Sequence, residues 1–219
     1  MDKKRLKQLI KNEFKIILCP IGFISKSDTL FVRLSKDNVL HIVNFDLGSI
    51  GFTCSVAIQP LYTFDHTEVI SLNMGARLSR FKIVQKEWWS YIEPEKGLSE
   101  IKELLLKNGL PWFNEYGTPD GIIEFIATGK ANEYGLKSFD SFHQEHYLAF
   151  SLFYTGHLED GVKHIEKLVS MISSNSADFI IAFKDQLLDV VSKITSDNYK
   201  LVLNSIAESN KNAIKMGSG

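Results

Sequence analysis

The chain has 219 residues, of which 44% are hydrophobic and 23% charged, and its formal charge is −1. That composition belongs to a globular protein able to bury roughly 70% of the surface its unfolded chain would expose. The near-neutral charge gives no electrostatic reason to expect nucleic acid or an anionic membrane, and no apolar run approaches the roughly 20 residues of a spanning helix.

The first predicted element is a helix. Leu6, Leu9, Ile10, Phe14 and Ile17 recur at spacings of three and four, and Lys and Arg cover the remaining positions. Six cations fall within the first fifteen residues. They are expected to be the solvated face of a packing helix, although a basic amphipathic helix also suits a membrane surface. Pro20 ends the helix, and Gly22 permits a tight entry into the sheet.

Three strand-like stretches then make an antiparallel meander: Thr29 to Ser35, Val39 to Phe45 and Gly51 to Gln59. Ser35-Lys36-Asp37-Asn38 reads as a hairpin turn, because Asp and Asn bond their own backbone. Val39 to Phe45 is apolar on both phases, as a strand covered on two faces would be. In the third stretch Phe52, Cys54, Val56 and Ile58 alternate with Thr53, Ser55 and Gln59, which predicts one wet face. Arg80 to Val84 is a candidate fourth strand, Trp88-Trp89 closes the unit, and Glu93 to Gly97 reads as a polar loop.

Beyond that loop the period changes from 2 to 3.6. Ser99 is the expected cap of a helix that Gly109 and Pro111 stop. Thr118-Pro119 pairs a capping hydroxyl with proline at the first helical position, and Gly129 ends the helix it starts. Ser141 and Gln144 have capping-box spacing before Tyr147 to Tyr154. Gly156 turns the chain into the stripe Leu158, Val162, Ile165, Leu168, Val169 and Ile172. Two more helices are expected near Ala177 to Ile194 and Asp197 to Ile214. The fold class is α+β: a helix and an antiparallel sheet of about four strands, then five or six helices. An α+β unit over 1–115 is expected to share a core with a helical unit over 116–216, with 217–219 a flexible tail.

Chemistry is sparse. His143 and His146 face the same way on a helix, and with His157 and His164 across the Gly156 turn they are the candidates for a metal site. No complete ligand set follows, and Glu145 points elsewhere, so no metal is expected. No nucleophile elbow or phosphate loop is present, and Ser49 and Ser138 lack a defined partner. Cys19 and Cys54 read as buried thiols in a reducing compartment. With no leader-like apolar stretch after the basic start, a cytoplasmic protein without catalytic residues or cofactor is expected. The remaining feature is aromatic. Trp88 and Trp89 lie beside Lys82, Lys86 and Glu87, and one of two adjacent indoles usually points away from the core.

Phe14, Pro20-x-Gly22-Phe23, Lys26, Leu30-Phe31-Val32-Arg33, Phe52-Thr53, Arg77-Leu78 and Trp88-Trp89 together resemble an uncharacterised bacterial domain-of-unknown-function family, over about residues 5 to 115. The resemblance implies an α+β fold and a cytosolic bacterial protein without known chemistry, of a kind suspected as immunity or accessory proteins beside secreted toxins. It also marks Arg77, Trp88 and Trp89 as the matched residues whose type suits binding. Leu148, Ala149, Leu152, Leu158, Gly161 and Ile165 resemble one tetratricopeptide-type helix pair, departing from it at Leu168. The reading is a protein-interaction module that binds through Arg77, Trp88 and Trp89. The alternatives are an enzyme with a cleft between the two halves and a helical scaffold.

Overall fold

A computed structural model describes residues 2–64, 69–81, 87–134, 136, 139–172 and 177–216. The expected tail at 217–219 lies outside them, as do Lys82, Lys86 and Ser138. Helix α1 (Lys3–Leu18) is capped by the Asp2 side chain and buries Leu6, Ile10, Phe14 and Leu18. A 3-10 turn carrying Pro20 comes next, and Gly22 adopts φ +90° to release the chain into the sheet.

Among the described residues the sheet has five strands in sequence order: β1 (Ile24–Ser25), β2 (Leu30–Leu34), β3 (Val39–Leu47), β4 (Phe52–Pro60) and β5 (Met74–Arg77). All neighbours are antiparallel. The β2–β3 hairpin is held by Ser35 Oγ, which accepts from the amides of Asp37 and Val39, with Asn38 at φ 58°. Leu78–Phe81 is a 3-10 turn, so the expected strand at Arg80 begins in a turn, and Lys82 to Val84 lie outside the described residues.

One face of the sheet carries Phe31, Val43, Phe45, Cys54 and Val56, and α1 packs on it with Phe14 edge-on to Phe45. The helical run after the sheet also packs here. It starts at Pro94, five residues before Ser99, as α2 (Pro94–Leu104). A π segment (Leu105–Gly109) then leads directly into α3 (Leu110–Tyr116). The expected polar loop is therefore helix: Pro94 sits at its first turn and Gly97 is buried against Phe52 and Trp89. The expected stop at Gly109-Pro111 is absent because the π turn, in which Leu110 N–H reaches Leu105 O, absorbs a proline that has no N–H to donate.

The second face is not wet. Its central row Val32, Ile42 and Ala57 is fully buried. Gln59 is buried too, donating to Val69 O and accepting from Ser71 N. Helix α9 (Tyr199–Ala213) runs along this side. Its Asn204 accepts from Asn38 after β2, its Asn210 donates to Leu61 O and Thr63 O, and Ile214 O and Lys215 O accept from Lys26 before β2.

The other helices are α4 (Pro119–Ala127), α5 (Lys130–Glu133), α6 (Ser141–Thr155), α7 (Leu158–Ser170) and α8 (Asp178–Ser192). Thr118 caps α4 as its sequence predicts. The cap of α6 is Asp140 rather than Ser141, and Gln144 donates instead to Phe139 O. Gly156, at φ +89°, closes the α6–α7 hairpin. A Cβ on Gly161 would lie 2.5 Å from the Phe153 ring, so only glycine lets the two helices approach this closely. One contiguous core runs from Leu6 to Ile214 through both halves of the chain.

Candidate functional site

Arg77 ends β5, and its guanidinium carbon lies 5.0 Å from the ring centroid of Trp88. Its Nη1 donates to Glu87 Oε2 at 2.9 Å, and Arg80 reaches the other oxygen of Glu87 at 3.6 Å. Arg80 also donates to Tyr134 O. Trp88 rests on the β3–β4 turn, where a Cβ on Gly48 would stand 2.9 Å from the indole. Tyr91 bonds the same turn through its hydroxyl, which donates to Gly48 O at 2.7 Å. Burial, with Asp46 close by, pushes the Tyr91 hydroxyl above its ordinary pKa, so it remains a donor.

The adjacent indole has another role. Trp89 is 1% exposed, exchanges both backbone hydrogen bonds with Phe52, and donates Nε1–H to Glu100 at 2.9 Å. It locks the edge of β4 to α2 and leaves no surface for a partner. Of the three candidate binding residues, Arg77 and Trp88 are half-buried at the surface, and Trp89 belongs to the core.

Two residues that sequence reasoning passes over complete the rim. Ile50, in the turn that Trp88 covers, is 73% exposed, and Ile92, next to Tyr91, is 89% exposed. Single exposed aliphatics are ordinary. Here two of them share one end of the sheet with a half-buried indole and a guanidinium. A signal existed: Ile50 stands in a Gly48-to-Gly51 turn and Ile92 in a polar run, where neither has an inward periodicity to serve.

Two buried titratable groups, His41 and Glu145, are held by fixed partners. His41, on β3, stacks on Phe113 with ring centroids 4.9 Å apart. Gly117 O can only accept, so His41 Nε2, 2.9 Å away, carries the proton, and Nδ1 accepts from Arg33. Burial, reinforced by the Arg33 charge and opposed by the bond to Gly117, pulls the imidazole pKa down to about 4. Glu145 points away from His143 and His146, accepting from His164 Nδ1 at 2.6 Å and from Lys167. Its burial raises the carboxyl pKa, and the bonds from Lys167 and His164 reverse that, holding it below the usual range.

His143 and His146 do line one groove, of about 350 Å³, with Ser71, Asn73, Phe142 and Phe183. His143 Nδ1 lies 2.8 Å from Asp140 Oδ1, the carboxylate that also caps α6. Among the described residues no three His, Cys, Asp or Glu side chains converge as a metal site would require. No helix of the described residues is long and apolar enough to cross a membrane. Comparison with known protein families, with curated proteins and with solved structures finds no match to this chain.

Proposed function

We propose that the chain is a non-catalytic protein-interaction module whose recognition surface is the rim formed by Ile50, Trp88 and Ile92 beside Arg77. The observation that carries this reading is the exposure of the two isoleucines around an indole already oriented by Arg77 and Gly48. A rigid aromatic flanked by aliphatic surface supplies contact area at little ordering cost, and Trp and Arg are enriched where binding energy concentrates. The non-catalytic part rests on His41 and Glu145, whose polar atoms are committed to fixed partners. The family likeness of residues 5 to 115 directs the reading toward an immunity or accessory role beside a bacterial toxin.

The test is capture from a lysate of the native host with the wild-type chain and with an Ile50→Asp/Ile92→Asp variant, followed by reconstitution with the purified partner. A partner whose affinity falls more than tenfold in the variant supports the reading. Equal affinity for both overturns it.

One observation favours a second reading, an enzyme: Asp140 orients the His143 imidazole at the mouth of the groove shared with Ser71. Under that reading His143→Ala abolishes an activity while the rim variants leave it intact.

A further inference from the structure

Helix α1 turns a second, chemically different face to solvent. Its core stripe is Leu6, Ile10, Phe14 and Leu18, and on the opposite side Arg5, Gln8, Asn12, Ile16 and Cys19 succeed one another at helical spacing. Six Lys or Arg residues stand against one Glu in this helix, in a chain whose formal charge is −1. Lys11 is paired, with Asp28 at 2.9 Å. Lys3, Lys4, Arg5, Lys7 and Lys15 are exposed and make no ion pair among the described residues. This local excess of positive charge is one that an incoming anionic group would offset.

The face is not purely solvating, however. Ile16 is 74% exposed between Asn12 and Cys19, and it lines an open hollow of about 510 Å³ with Asn12, Lys15, Cys19 and Pro20. Beyond the hollow, Ile21 and Ile24 are 40% and 48% exposed. We propose that the outer face of α1 docks an acidic protein segment, its carboxylates on Arg5 and Lys15 and one aliphatic side chain seated on Ile16. Duplex nucleic acid offers phosphates without an aliphatic group for the hollow. An anionic bilayer favours basic faces with a continuous apolar belt rather than one isolated seat. This surface is independent of the Trp88 rim.

The test uses two fluorescent twelve-residue peptides of Asp and Glu, one with a central Leu and one with Ser in its place. They are titrated against the wild-type chain, an Arg5→Glu/Lys15→Glu variant and Ile16→Ser. The Leu peptide is expected to bind at least tenfold more tightly than the Ser peptide, and to lose that margin in Ile16→Ser. It should weaken more than tenfold in the charge-reversed variant and weaken with added salt. It should also slow alkylation of Cys19, which the reagent reports alone because Cys54 is fully buried. All substituted side chains are exposed, so melting temperatures should stay close to wild type and confirm folding. Three outcomes would overturn the proposal: equal binding of the two peptides, tighter binding to anionic vesicles or duplex DNA than to the Leu peptide, or a dimer of the chain that charge reversal dissolves.

Discussion

Arg77 and Trp88 stand 5.0 Å apart, guanidinium carbon to ring centroid, and the same guanidinium is bonded to Glu87. The contact joins the end of the last strand to the turn between β3 and β4, because the indole also lies on Gly48. A cation over an indole at a part-exposed site contributes about 0.5–1 kcal/mol. Arg77→Ala is therefore expected to loosen Trp88 without unfolding the chain. Trp88 fluorescence should become more solvent-quenched, with a stability loss of about 1 kcal/mol by urea denaturation. Unchanged quenching would show that Gly48 alone orients the ring.

Gly51 is the position least able to accept a side chain in this region. A Cβ there would lie 2.3 Å from Trp89 O, inside the bridge that joins Trp89 to Phe52. Gly51→Ala should destabilise by about 1–3 kcal/mol through overpacking. Gly129→Ala meets nothing within 4 Å and is penalised by its φ of +69° alone, so it should cost less. Thermal denaturation of both variants orders the two costs.

Part of this architecture is readable in the chain. The meander is legible because its apolar strands are separated by turns that carry Ser, Asp, Asn and Gly. The α4 start is legible because Thr118 and Pro119 act within four residues. What fails to read depends on distant partners. Gln59 is buried because the backbone of Val69 and Ser71, beyond the end of β4, folds back to bond its side-chain amide. Pro111 sits inside a helical run because a π turn precedes it. Trp88 and Trp89 obey the rule that neighbours in extended chain point oppositely, and the exposure of Ile50 and Ile92 is legible only as the lack of an inward period around each.

The pH dependence of stability should carry the signature of His41. Its folded pKa, about 4, lies below the ordinary value near 6.5, so the unfolded chain binds more protons between them. The stabilisation is present above pH 6.5 and is lost as pH falls toward 4, by about 3 kcal/mol in all. His41→Gln should flatten urea-derived stability across that window. An identical fall in wild type and variant would assign the effect to other groups.

Glu145 has the same direction at lower pH. Held below the usual range, its carboxylate contributes stability that is present above the unfolded pKa near 4.3 and is lost as pH falls through the folded value. Glu145→Gln should cost about 1–3 kcal/mol at pH 7, because Lys167 and His164 lose their charged acceptor on the α6–α7 hairpin. A double-mutant cycle with Lys167→Met measures the coupling. A coupling near zero would reduce the contact to a solvated surface pair.

The reading of the Trp88 rim as a recognition surface is tested most directly by placing a photo-crosslinking amino acid at Ile92, and separately at Leu201. Leu201 is 74% exposed on α9, away from the rim. Irradiation in the native host should give a discrete crosslinked protein from position 92 and none from position 201, and Ile50→Asp should remove the crosslink while the melting temperature holds. Crosslinks from position 201 alone, or a crosslink from position 92 that survives Ile50→Asp, would contradict it.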